Sequence, residues 1–175
     1  MSALAWGARV SAAFRTRAIE GCGRLGVEPS WLMACIAFET GERFRADTRN
    51  QAGSGAVGLI QFMPSTAAAL GTTPVALAKM AAEDQLELVF AYFRPWSGKL
   101  ETLGDLYMAI LWPDGVGRPD DWVLFDRADP AHPARYVQNA GLDLDGDGRI
   151  TRGEACGRVK AKLDKGLEPQ NAFQS

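Results

Sequence analysis

Two stretches of this 175-residue chain hold side chains whose type and spacing can do chemistry. The first ends at Glu39, the acid that closes the apolar run WLMACIAF of residues 31–38. Trp31, Leu32, Cys35, Ile36 and Phe38 would place apolar side chains nearly all round a helix, as in a buried central helix. Glu39 then falls in the last turn, just ahead of Gly41, a residue suited to a C-cap. There the negative end of the helix dipole and the apolar neighbours both oppose ionisation, which raises the carboxyl pKa and suits it to general acid catalysis. Taken locally, the same residue also reads as an ordinary solvated acid at a frayed helix end. The second stretch, DLDGDGRITRGE at 143–154, carries Asp143, Asp145, Asp147 and Glu154. Four carboxylates so spaced repel one another strongly unless a hard divalent cation lies among them.

The residues after Glu39 sharpen the first reading. SGAVGLIQFMPSTAAALG, residues 54–71, resembles the second signature of the lytic transglycosylases with a goose-type-lysozyme-like fold, usually close to GLMQIMPxTA. Glu39 and Thr40 stand where that family has its first signature, a Glu followed by a small hydroxyl residue, ordinarily Ser, at the end of a buried helix. The pair covers about the first half of the chain. The resemblance implies that Glu39 is the catalytic acid and that Thr40, Gly58 and Gln61 belong to the substrate site; Asn50, in the polar loop between the two signatures, is read as a further substrate contact or a surface-loop residue. Gly53, Gly55 and Gly58 would let the backbone approach a ligand closely, and Pro64 suits the first turn of a helix running through Ala69. Gln61 can donate and accept toward sugar hydroxyls, or serve as a capping or core amide. Leu59, Phe62 and Met63 are expected in the core.

A second carboxylate decides mechanism, because inverting and most retaining glycosidases use two. Asp47, in the polar loop GERFRADTRNQ, is the better placed, facing the presumed cleft or simply charging the surface; Glu42 is expected to point outward. Transglycosylases of the resembled family manage with one Glu, acid first and base second. Their third signature, close to AYNAG, is absent; this chain has MAILWPDGVG, and Trp112 is a replacement sugar platform or a packing residue. ARYVQN, residues 134–139, resembles the fourth signature, which implies that Tyr136 hydrogen-bonds Glu39. His132 is the only histidine, which argues against Ser-His or Cys-His catalysis and a histidine-rich zinc site.

Residues 143–154 match the EF-hand loop, with Asp143, Asp145 and Asp147 at positions 1, 3 and 5 and Gly148 at the turn. Arg149 would offer its carbonyl, Thr151 a water-mediated contact and Glu154 a bidentate carboxylate to Ca2+. One loop without a partner suggests a structural clip rather than a sensor.

Around these sites the chain has one domain's worth of length, 47% hydrophobic residues and a net charge of −2, which excludes a strongly basic nucleic-acid binder. Three cysteines, one in the most apolar run, point to free thiols. No run is long and apolar enough for a membrane span. Arg9, Arg15 and Arg17 break up the N-terminal apolar stretch, so no export signal is read there. That segment reads as an amphipathic helix from about Ala3 to Gly23, its arginines on a solvated outer face or against an anionic envelope, followed by a turn and N-cap from Gly26, Pro29 and Ser30.

The expected fold is mostly α, a single lysozyme-like domain with at most a minor sheet and an appended EF-hand. Residues 1–140 form the catalytic part, 141–166 the calcium loop and exiting helix, and 167–175 a flexible tail. The resemblance implies a monomer cleaving peptidoglycan glycan strands, with Ca2+ structural, as a lytic transglycosylase or muramidase. It suggests a phage endolysin held in the host cytoplasm until release to the wall, or a virion-associated hydrolase. The alternatives are a non-catalytic calcium-dependent wall-binding module or a calcium sensor.

Overall fold

A computed structural model describes residues 3–50 and 53–174. Helix α1 (Ala12–Leu25) starts where the Ser11 side chain accepts a hydrogen bond from the Phe14 amide, and ends at Gly26 in the left-handed region, φ 74°. Its expected start near Ala3 is corrected. Trp6 is drawn into the core, 1% exposed, donating its indole N–H to the Lys162 carbonyl at 2.9 Å. Gly7–Arg9 is consequently a 3-10 turn. The arginines of α1 are engaged within the molecule: Arg15 bonds the Gly7 and Val10 carbonyls, and Arg17 pairs with Asp84.

Helix α2 (Pro29–Glu39) has Pro29 in its first turn, where the missing N–H is no loss, and buries everything from Leu32 to Ala37. Removing Leu32, Met33 and Ile36 from water contributes roughly 2 kcal/mol each. Ser30 is no cap, contrary to expectation; its hydroxyl accepts from the Ala5 amide at 3.1 Å and so ties the N-terminal segment to α2. The chain continues through α3 (Pro64–Ala69), α4 (Pro74–Lys79), α5 (Ala82–Phe93) and α6 (Leu103–Leu111). Thr102 and Asp105 form a reciprocal capping box at the start of α6, and Pro113 follows its end. Strand β1 (Val123–Asp126), helix α7 (Pro133–Asn139), strand β2 (Arg149–Thr151) and helix α8 (Arg152–Gly166) complete the order.

The chain is mostly helical, with one two-stranded sheet among the described residues. β1 and β2 pair antiparallel, Phe125 opposite Ile150 and Asp126 opposite Arg149. Packed around α2 are α1, α6 and α8, while α5 covers α1. α8 is locked to α6 by the buried Arg152, which bonds Asp105 at 2.9 Å, Asp120 at 2.6 Å and the Gly115 carbonyl. Among the described residues no helix is long and apolar enough to cross a membrane, and all three cysteines are free thiols.

In the stretch expected as a flexible tail, residues 171–173 are packed. Leu4 and Phe173 exchange backbone hydrogen bonds at 2.9 and 3.0 Å, Asn171 and Ala172 are buried, and the Arg15 guanidinium lies 4.0 Å from the Phe173 ring centroid. Gly166 is required at this closure, since a Cβ there would sit 2.4 Å from the Trp6 ring. A short tail with no periodicity is held by contacts to the opposite end of the chain.

Candidate active site

α2 delivers Glu39 in its last turn, and the chain then reverses sharply, with Gly41 at φ 58° and Glu42 at φ 67°. Thr40 is fully buried; its hydroxyl donates to the Ile36 carbonyl at 2.7 Å and accepts from the Phe44 amide at 3.0 Å. Those bonds occupy it in shaping the turn, so its expected place against substrate is corrected. Glu42 points away, as expected, and joins Lys162 and Lys165 of α8, the latter at 2.7 Å.

Opposite Glu39 the backbone folds a small irregular turn. Arg49 and Phe62 both bridge to Val57, and the Thr48 carbonyl accepts from the Gly58 amide. Gly58 is buried at φ 99°, and a Cβ there would lie 2.5 Å from Oε1 of Gln85, so its role is to admit Gln85 rather than sugar. Gln85, overlooked in the sequence, holds this turn from below: its carbonyl accepts from the Leu59 amide at 2.7 Å, and its NH2 donates to Ala46 and Leu77 carbonyls. The available signal was one amide on the apolar face that also carries Leu86, Val89 and Phe93. Gln61 spends both N–H groups on the Thr48 and Gly58 carbonyls, which leaves its carbonyl oxygen as the group it can offer to the groove.

Between this turn and α7 runs a groove with Glu39 at its middle. One compartment, of about 690 Å³, is lined by Glu39, Asn50, Gln61, Met63, Ile110 and Trp112 among others, with Arg135 of α7 on its far wall. The adjoining one, of about 490 Å³, shares Glu39, Asn50, Leu111, Gln138 and Asn139 and adds Phe38, Tyr107 and Arg158. Met63 is 45% exposed here rather than in the core, whereas Leu59 and Phe62 are buried as expected. Trp112 does line the groove. It also packs edge-on against Phe125 at 5.2 Å, with the Arg135 guanidinium 4.9 Å from its ring centroid, so it serves both packing and groove.

The Glu39 side chain makes no hydrogen bond or ion pair among the described residues. Burial among Phe38, Tyr107 and the interior of α2 pushes its carboxyl up to about 8, so it is mostly protonated at neutral pH. Tyr107, which the sequence reading passed over, is 1% exposed, stacks edge-on against Phe38 at 5.5 Å, and is raised well above the ordinary phenol value by burial and then by Glu39.

Two expected partners of Glu39 lie elsewhere. Asp47 sits in a separate surface depression with Arg43, Arg45 and Arg49, where Arg45 grips it at 2.8 and 2.6 Å and holds its carboxyl below the usual range. Its ion pair with Arg45 holds Asp47 in that depression, outside the lining of the groove. Tyr136 donates its hydroxyl to Asp143 at 2.6 Å, so it serves the acidic loop and not Glu39. Among the described residues, Glu39 is the only carboxyl lining the groove.

The acidic loop follows α7 after a 3-10 turn, Ala140–Leu142. Asp143, Asp145 and Asp147 offer carboxylate oxygens within 4.8 Å of one another, an arrangement that could hold a metal ion. Local bonds shape it: Asp143 accepts from the Gly146 and Gly148 amides, Asp145 from Asp147, and Asp147 from Arg149. Glu154 stands apart from that cluster. One of its oxygens accepts from the Leu144 amide at 2.9 Å, and the other closes the α8 capping box with Thr151. Arg149 and Thr151 lie on β2, with Ile150 between them buried against the domain.

The fold and site thus define a mostly helical domain with one protonated acid in a divided groove and a carboxylate loop beside it. No protein-family model matches the chain, and no curated protein matches it.

Proposed function

We propose that this protein cleaves the glycan strands of peptidoglycan between N-acetylmuramic acid and N-acetylglucosamine, with Glu39 acting as acid and then as base. The observation that carries the reading is a carboxyl on the last turn of a buried helix, lining both compartments of a groove, with no side-chain partner among the described residues and with burial pushing it up to about 8. The resemblance of residues 39–40 and 54–71 to the lytic transglycosylase signatures supports it further. Glu39 gives its proton to the bridging oxygen as the bond from that oxygen to the anomeric carbon of the muramic sugar breaks, leaving positive charge on the anomeric carbon and ring oxygen. The carboxylate so formed takes a proton from the attacking hydroxyl, either of water or of the same sugar, and Glu39 is restored. Lack of a second carboxyl in the groove among the described residues favours the one-acid route, with the sugar's own hydroxyl attacking and an anhydro end as product. Gln61 offers an acceptor to a sugar hydroxyl or amide, and Asn50, Gln138 and Asn139 line the strand on either side.

The acidic loop fits a hard cation through its three aspartates, and Ca2+ is the ion this spacing suits. Asp143, Asp145 and Asp147 would hold it, with the Arg149 carbonyl, Thr151 and Glu154 as further donors once Glu154 releases its amide contacts. The ion supplies charge neutralisation within the loop and takes no part in bond breaking. A phage lysis enzyme or virion-associated hydrolase, working as a monomer, is the setting the resemblance favours.

Turbidity of purified cell walls tests the assignment. Wild type should clear them, and Glu39→Gln should slow clearing roughly 10²- to 10⁴-fold, the range expected for loss of a general acid. A wall-binding module would sediment with walls and leave them turbid. Clearing by Glu39→Gln at the parental rate would remove the assignment, and mass analysis of the products separates anhydro from reducing ends by one water.

A further inference from the structure

We infer that Arg135 and Arg158 are receptors for carboxylates carried on the strand, one on each side of the cleavage point, so that the groove selects an acidic glycan over a neutral one. The inference rests on the glycan-cleaving reading of the same groove. Arg135 lines the larger compartment and Arg158 the smaller, and Glu39 belongs to both. Apart from Glu39 they are the only charged side chains lining either compartment among the described residues. Among the described residues neither has a carboxylate partner. Arg135 is steadied over the Trp112 ring at 4.9 Å, and Arg158 through one N–H to the Gly141 carbonyl at 2.8 Å. Other arginines differ in this respect: Arg17 is paired with Asp84, Arg45 with Asp47, Arg149 with Asp126, and Arg152 with Asp105 and Asp120.

With Glu39 protonated, the groove therefore carries two positive charges inside a protein whose net charge is −2. A polymer of N-acetylglucosamine alone has nothing to offer them. A strand whose alternate sugars bear lactyl and peptide carboxylates does, and each guanidinium has a planar fork left for a paired hydrogen bond to such a group. Gln138 and Asn139, common to both compartments, carry the strand between the two arginines.

The test uses Glu39→Gln, to prevent turnover, and three soluble probes: peptide-bearing glycan strands, the same strands with their carboxylates amidated, and a neutral N-acetylglucosamine hexamer. Calorimetry at low ionic strength should show roughly tenfold or greater preference for the carboxylate form over the amidated form. Adding Arg135→Gln or Arg158→Gln should each erode that preference several-fold while leaving affinity for the amidated strand and thermal unfolding unchanged. Equal affinity for native and amidated strands, or a preference that survives both substitutions, would overturn the inference. If Glu39→Gln binds and the parent protein cleaves every strand alike, only this inference falls. If no strand binds and the parent releases no muropeptides, the glycan-cleaving reading falls with it.

Discussion

Replacing Glu39 with glutamine should stabilise the folded protein at neutral pH even as it removes the proton donor. In the unfolded chain this carboxyl titrates near 4.5, and in the folded protein burial raises it to about 8. Between those values the folded state holds a proton that the unfolded state has released, so stability falls as pH rises through the interval. At roughly 1.4 kcal/mol per tenfold change in proton affinity, the full interval sets a ceiling of about 5 kcal/mol, of which about 3 kcal/mol has developed by pH 7. Water reaching the carboxyl from the groove trims both figures. Glutamine has the same shape and no charge to desolvate, so its stability lacks this slope. Urea unfolding of both proteins, followed by tryptophan fluorescence in excess calcium at pH 4, 7 and 9, reads the difference directly. The advantage of Glu39→Gln should be smallest at pH 4 and grow by about 2–3 kcal/mol at pH 7, then further at pH 9. A difference that stays flat across the three pH values would mean that Glu39 is solvated and ionised, and that the groove does not hold a protonated acid.

Gln85→Leu keeps the volume but strands the Leu59 amide and the Ala46 and Leu77 carbonyls; a loss of about 2–4 kcal/mol in urea unfolding is expected, with slower wall clearing as the Gly58 turn loosens. Arg152→Met leaves Asp105 buried without its cation, which should cost about 3–5 kcal/mol, and adding Asp105→Asn should recover part of it. Calcium at a hundred times its dissociation constant should add about 2.7 kcal/mol to stability and raise the Tm. Asp145→Asn should weaken that response while leaving the Tm in excess chelator nearly unchanged; a Tm indifferent to calcium would remove the ion from the proposal.

Elements set by neighbours in the chain were legible in the amino-acid order alone. The apolar run before Glu39 made a buried helix, Pro29 and Pro64 opened helices, and the Asp-rich loop took its turn from bonds spanning two to five residues. Even the raised acid could be argued from its place in the last turn of an apolar helix. What sequence could not supply was the choice of partner. Tyr136 answers to Asp143, Asp47 to Arg45, and Thr40 to its own helix, so Glu39 keeps company with Tyr107 instead. The packing of the chain's end was equally hidden, because Leu4 meets Phe173 only once the domain has closed. Backbone form over a few residues follows from local sterics and hydrogen bonding, which spacing encodes. Which polar or charged groups meet, and which are left to face a groove, is decided by the three-dimensional packing that brings distant segments together.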